Sequence, residues 1–241
     1  MKYYVLLLLS VCNLVAAQTV NEVFAKLNSQ FTSHKTLQFE TQYSLFRDAS
    51  TKTVHQSYKG LFIKSSTNDV YMKIIDTEFI NSRNGSLKIN HNEKAMQVSD
   101  AVRFSGGDFD VSKLLNFCKI QSFKDYKAYW EIVLITKEFS GLDYSKIVLL
   151  VNKDYTLKKQ VFFYNSGFDF SKDFGKQEVS NPRLEVEFKN YNQNYVNPSL
   201  FDTAAFYQVT KANKLLAAGK YKSYELIDKR SNALSNNKRT N

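Results

Sequence analysis

Between residues 57 and 100 the chain alternates short apolar runs with clusters of Ser, Thr, Asn, Asp and Gly. Residues 61–64 stop at Ser65-Ser66-Thr67-Asn68, and residues 70–75 stop at Asp76-Thr77. Phe79-Ile80 leads into Asn84-Gly85, a pair that favours a type I′ hairpin because both central residues of that turn need positive φ. Leu87 and Ile89, then Met96 and Val98, alternate with polar neighbours on either side of His91-Asn92-Glu93. Apolar runs of about 4 to 8 residues bounded by turn formers predict strands. Their tight connections predict an antiparallel meander rather than a βαβ unit.

The same reading extends along the chain. Thr19-Val20-Asn21-Glu22 fits a capping box, and Val20, Val23, Phe24, Leu27 and Phe31 recur at helical spacing, so residues 19–31 are predicted to be a helix. Leu37, Phe39, Thr41, Tyr43 and Leu45 alternate with polar residues as in a half-buried strand. Residues 47–52 form its turn, and residues 54–64 return, with Gly60 at a bend or bulge. Gly106-Gly107 break the pattern. Residues 110–119 then suit a short helix capped by Asp110, with Val111, Leu114, Leu115 and Cys118 on one side. Strands follow at residues 128–136, 144–152, 156–164 and 184–188, with a short segment at 201–207. Val209, Ala212, Leu215 and Leu216 predict a last helix stopped by Gly219, and residues 229–241 read as a disordered polar end.

Composition sharpens this outline. Lys2, an apolar run over residues 4–9 and Val15-Ala16-Ala17 describe a cleaved secretory signal over residues 1–17. The run is shorter than the roughly 20 residues of a membrane span. Cys12 raises a minority reading as a lipid anchor, although Val11 precedes it where that processing wants a small residue. After cleavage only Cys118 remains, so no intrachain disulfide can form and stability must come from the core. The formal net charge of +10 would point to nucleic acid inside a cell. For an exported chain it points instead to anionic lipid surfaces, envelope polymers or acidic proteins. Two prolines and 15 tyrosines favour long unbroken strands.

The order of signal, amphipathic helix, long hairpin, meander, short helix and further strands resembles the bacterial periplasmic lipoprotein carrier family, the LolA/LolB-like fold. The segments that carry the likeness are Tyr58-Lys59-Gly60-Leu61-Phe62-Ile63-Lys64, the turn Asn84-Gly85 with Ser86-Leu87-Lys88-Ile89, and residues 151–159. It spans about residues 20–207. The family's prolines near Lys64 and Phe79 are missing, and the basic end past Tyr207 has no counterpart. The resemblance implies a mainly β fold: an incomplete, half-open antiparallel barrel of about ten strands. An N-terminal helix and a short middle helix would cover its concave face. A C-terminal helical extension over residues 208–241 would follow a domain over residues 18–207. A closed lipocalin-like barrel is the competing architecture.

Catalytic chemistry has little to stand on. His34, His55 and His91 share no metal-ligand spacing and read as surface residues. Cys118, flanked by Phe117 and Ile120, reads as a small buried apolar side chain. No nucleophile elbow, phosphate loop or dinucleotide fingerprint occurs. Asp108/Asp110 and Glu185/Glu187 are spaced pairs, the second on one strand face and explained by solvation. Asn84-Gly85-Ser86 matches a glycosylation acceptor by letter, and a hairpin turn accounts for it as well.

The expectation is a non-catalytic carrier or binding protein for acyl chains of a lipid or lipoprotein in the periplasm, with no cofactor, metal or nucleic acid. The alternative is an envelope assembly factor that binds a protein. The expected lining is Phe39, Tyr43, Phe62, Met72, Ile74, Leu87, Ile89 and Trp130, with Val23, Phe24 and Leu27 as a movable cover. The strand face these residues share is open to a one-residue register error, which would invert the set.

Overall fold

The computed structural model describes residues 19–33, 35–102, 110–171 and 175–231. The expected signal, Cys12, His34, Gly106-Gly107, Asp108 and the end from residue 232 lie outside the described residues.

Helix α1 (Val20–Thr32) begins with the expected capping box. The Thr19 hydroxyl accepts from the Glu22 amide at 3.3 Å, and the Glu22 carboxylate accepts from the Thr19 amide at 2.9 Å. Strands β1 (Leu37–Phe46), β2 (Gln56–Lys64), β3 (Val70–Ile74), β4 (Thr77–Ser82), β5 (Gly85–Asn90) and β6 (Ala95–Ser99) form the meander. A short helix α2 (Leu114–Phe117) precedes β7 (Cys118–Asp125), β8 (Tyr129–Thr136), β9 (Tyr144–Asn152) and β10 (Leu157–Tyr164). A small hairpin, β11 (Phe168–Asp169) and β12 (Val179–Ser180), leads to β13 (Arg183–Asn192). The chain closes with β14 (Tyr207–Val209), β15 (Leu215–Ala217) and β16 (Glu225–Asp228).

Twelve strands make one sheet, in the order β16-β6-β5-β4-β3-β2-β1-β13-β10-β9-β8-β7. Its pairs are antiparallel except β16 with β6, so the sheet is mixed. The edge strands β16 and β7 do not pair with each other, which excludes the closed barrel.

Alternation divides the sheet between two cores on opposite faces. On the helix face, Val23, Phe24, Leu27 and Phe31 pack with Phe39, Phe62, Ile132, Leu134, Ile147 and Leu149. On the back face, Ile63, Tyr71, Ile80, Leu87, Ile89, Met96 and Val98 pack with Phe201, Phe206, Tyr207 and Tyr221 from the C-terminal segment. Phe62 and Ile63 are neighbours in β2 and belong to different cores. Each fully buried Phe, Leu or Ile contributes about 1.5–3 kcal/mol.

Three local expectations are corrected. The helix from Val209 to Leu216 is absent; β14 and β15 form a hairpin there, turned by Asn213 at φ 59°. Gly219, at φ 54°, opens a 3-10 turn rather than ending a helix. Val209 and Leu216 stay over half exposed, so the helical stripe had no core to face. Helix 110–119 shrinks to a 3-10 turn (Val111–Lys113) and α2, because Cys118 pairs with Thr136 and starts β7. The turn between β4 and β5 is Arg83-Asn84, neither at positive φ; Gly85, at φ 149°, is the first strand residue.

Lys64 is fully buried. Its ammonium donates to the carbonyls of Ser33 at 2.6 Å and Lys35 at 2.7 Å, just past the end of α1. A cation at a helix C-terminus is favourable, and here it ties α1 to β2. Burial holds its pKa below the ordinary lysine value.

Candidate functional site

Helix α1 covers only one end of its face. Phe31 meets Phe39 and Phe62 edge-on at 6.2 Å. Lys26 donates to the Tyr155 hydroxyl at 2.9 Å, and Tyr155 lies in the β9–β10 turn. Both contacts lie where β1 begins and β9 ends. Toward the other end of the strands the same face is covered by Val111, Leu114 and Leu115 over β8 and β9 and is uncovered over β3, β2, β1, β13 and β10. A hollow of about 260 Å³ lies there, walled by Phe39, Tyr43, Phe62, Met72, Ile74, Phe162, Leu184, Val186 and Phe188. Its polar lining is Thr41 and Gln160.

Pairing explains the wall. Across the sheet, Tyr43 faces Val186, Val186 faces Gln160, Leu45 faces Leu184 and Leu184 faces Phe162. On the other side Thr41 faces Gly60, which faces Ile74. A Cβ on Gly60 would lie 2.4 Å from the Thr41 hydroxyl and 3.2 Å from the Lys73 carbonyl, so a larger residue would force the neighbouring strands to shift.

An aromatic ladder climbs out of the hollow. Phe162 lies 5.0 Å from Tyr144, Tyr144 lies 4.9 Å from Tyr164, and Tyr164 lies 4.9 Å from Phe168. A register shift at Phe163/Tyr164 re-aims these rings, as bulges do. Burial pushes the Tyr164 phenol up to about 12, helped by Tyr144.

Of the eight lining residues read from sequence, Phe39, Tyr43, Phe62, Met72 and Ile74 border the hollow. Phe39 and Phe62 stack at 4.7 Å and are core residues as well. Leu87 and Ile89 lie on the back face, in the second core, a correction with a simple cause. The β4–β5 turn sets their parity, and the row Tyr71–Ile80–Leu87–Val98 faces away from the helix. Trp130 shares the helix face but sits at the covered end, stacked on Tyr155 at 5.2 Å, with its indole N–H donated to Asp125 at 3.1 Å. Val23, Phe24 and Leu27 are fully buried beneath α1. Sequence reasoning missed Phe162, Leu184, Val186 and Phe188. Their alternation was visible, but not that β13 inserts between β1 and β10.

The other candidates are accounted for by packing. Burial pushes the Cys118 thiol up, away from reactivity. His55 accepts from Arg47 at 3.3 Å. His91 is half-buried rather than a plain surface residue, bridging the Glu78 carboxylate at 2.8 Å and the Tyr224 hydroxyl at 2.9 Å. Glu187 is held below the usual carboxylate range by Lys189, and Glu185 pairs with Arg183 at 2.7 Å. Among the described residues no three His, Cys, Asp or Glu side chains group as metal ligands. None of the described helices is long and apolar enough to cross a membrane.

No family model matches the chain, and no curated protein matches it. Similar solved structures include an uncharacterized conserved protein from Thermus thermophilus, with a TM-score of 0.49 at 8% identity, covering 88% of this chain and 100% of that one. A LolA superfamily protein from Nitrosomonas europaea has a TM-score of 0.34 at 11% identity, covering 77% and 98%. A putative outer membrane lipoprotein-sorting protein domain from Vibrio parahaemolyticus has a TM-score of 0.32 at 11% identity, covering 75% and 95%. The family that the sequence resembles is thus named among these structures.

Proposed function

We propose that this chain is a non-catalytic carrier or binding protein for an acylated ligand, a free lipid or the lipid moiety of a lipoprotein, in the bacterial cell envelope. The observation that supports it is the uncovered half of the helix face. Large apolar side chains line a hollow there that is open at one end and nearly free of polar groups. Its volume lies just under the roughly 300–1,000 Å³ of ordinary ligand sites. An acyl chain gains about 0.8 kcal/mol per buried methylene without any polar contact. The ligand enters from the open end with α1 in place, so the cover expected of Val23, Phe24 and Leu27 does not have to lift.

Mass spectrometry of lipids extracted from natively purified protein tests this. A reproducible acylated species is expected, together with binding of a fluorescent fatty-acid probe. Ile74→Glu and Phe162→Glu, at half-buried positions, are expected to remove probe binding with the circular dichroism spectrum unchanged. Glu at Phe39 or Phe62 would break the core instead and is uninformative. An empty protein that binds no probe would leave the assembly-factor reading in front.

A further inference from the structure

Three connections at the open end of the hollow form a single rim. Strands β1, β8 and β10 end there, and β2, β9 and β13 begin there, so residues 47–55, residues 137–143 and the paired strands β11 and β12 stand side by side. Polar ties bind them together. The Ser180 hydroxyl donates to the Arg47 carbonyl at 2.6 Å, and the Arg47 guanidinium to the Glu178 carboxylate at 2.9 Å. Arg183 donates to the Thr51 carbonyl at 3.1 Å. Asn165 donates its amide N–H to the Asp143 carbonyl at 3.0 Å and its side-chain N–H to the Leu142 carbonyl at 3.0 Å.

This built rim turns large apolar side chains to solvent. Phe139 is 103% exposed and sits at φ 58°. A bulky residue adopts that backbone only where its surroundings enforce it. Lys137 anchors the same loop by donating to the carbonyls of Leu115 at 2.8 Å and Asn116 at 3.0 Å, so the tip is held by its neighbours and not by burial of the ring. Phe168 and Val179 are exposed on the adjacent hairpin. Exposed carboxylates adjoin two of the tips, Glu138 beside Phe139 and Glu178 beside Val179, and Lys52 and Lys176 are exposed elsewhere on the rim. The aromatic ladder from Phe162 through Tyr144 and Tyr164 ends at Phe168, making the rim continuous with the wall of the hollow.

We propose that this rim docks on the interface of a lipid bilayer, with Phe139, Phe168 and Val179 entering the boundary between headgroups and acyl chains. The proposal rests on the acyl-ligand reading of the hollow and places its mouth against the membrane. A bilayer fits better than a protein surface. The apolar tips stand on separate loops rather than on one flat patch of the roughly 800 Å² that a protein partner covers. Apolar tips backed by Tyr144 and Tyr164 have the chemistry of an interfacial anchor, which reaches about 5–10 Å into the headgroup region.

The test is flotation of the purified chain with vesicles of phosphatidylethanolamine and phosphatidylglycerol, beside a Phe139→Glu/Val179→Glu variant. Both positions are solvent-exposed, and circular dichroism checks the fold. The wild type is expected to float, and the variant to lose partitioning by at least about tenfold. In a Phe139→Trp variant the emission is expected to shift to the blue on vesicles and to be quenched by brominated lipid, against a constant background from buried Trp130. A wild type that stays in the dense fraction, a variant that floats equally, or an unshifted emission would each overturn the docking. So would retention by an envelope protein, lost in the variant, without vesicle binding. The fatty-acid probe separates the two readings. Vesicle docking without probe binding removes the ligand and keeps the rim. Probe binding that survives in the double variant, with docking lost, supports both.

Discussion

The two cores share β2 and β3 and differ in what covers them. On the back face the C-terminal segment lays Phe201, Phe206, Tyr207 and Tyr221 across β3 to β6, and Leu87, Ile89, Met96 and Val98 are at most 2% exposed. On the helix face α1, 13 residues and about 20 Å long, covers the end near Phe39 and Leu157, and residues 111–117 extend the cover over β8 and β9 but not over the far end of β1, β2, β10 and β13. The apolar face is longer than its cover. A cavity thus arises from a shortfall of cover rather than from special residues, and the same residue types make a dry core on one face and an open hollow on the other.

The largest expected effect comes from removing the complete cover. A chain ending at residue 196 exposes the whole back-face core, whose loss exceeds the roughly 5–15 kcal/mol by which domains are stable. Insoluble expression, or no cooperative melt, is the expected outcome. A soluble truncation with an unchanged melting temperature would show that the two cores do not support each other. Next, Phe206→Ala is expected to cost about 3–5 kcal/mol in urea unfolding, since it empties a filled site. Ile74→Ala, at the hollow, should cost under about 1 kcal/mol because no packed cavity is created. Equal costs would mean the hollow is as tightly packed as the back core.

A third contrast concerns the tie on the short cover. Lys64→Met removes the cation that holds the end of α1, leaving the Ser33 and Lys35 carbonyls without it. A loss of about 2–3 kcal/mol is expected, with faster amide exchange in α1 than in β5 and β6. Uniform exchange would assign Lys64 no special part in holding the cover.

The smallest effect is with pH. Tyr71 in the back core and Tyr191 in the helix-side core are both raised by burial, and Tyr164 is raised to about 12. Unfolded tyrosine ionises near ~10. The folded state therefore keeps its protons longer. Stability from these groups is present below about pH 10 and is lost as pH rises toward 12. Lys64, depressed by burial, runs the other way: its cost shrinks as pH rises toward the unfolded lysine value. Tyr71→Phe should flatten the alkaline loss measured by urea unfolding between about pH 9 and 11. An unchanged slope would exclude Tyr71 from it.

Local pattern was enough for much of this protein. The capping box and stripe of α1, the meander, and β8, β9 and β10 follow from turn formers and periods of two or 3.6, which act over a few residues. Strand β7 escaped because its one fully buried residue, Cys118, closes a helical stripe, while a register shift at Ile120/Ser122 breaks its alternation. The C-terminal helix was misread because Val209, Ala212, Leu215 and Leu216 have helical spacing, whereas residues 207–209 pair with residues 215–217 as a hairpin.

The candidate site divides in the same way. Phe39, Tyr43, Met72 and Ile74 could be read from alternation alone, since within one strand parity is local. Which face Leu87 and Ile89 share with them depends on two turns and on the cover over each face. Whether the apolar face is filled or hollow depends on the length of α1 against that of the sheet. Neither quantity is written in any short segment, because both are set by elements that meet only when the whole sheet has formed.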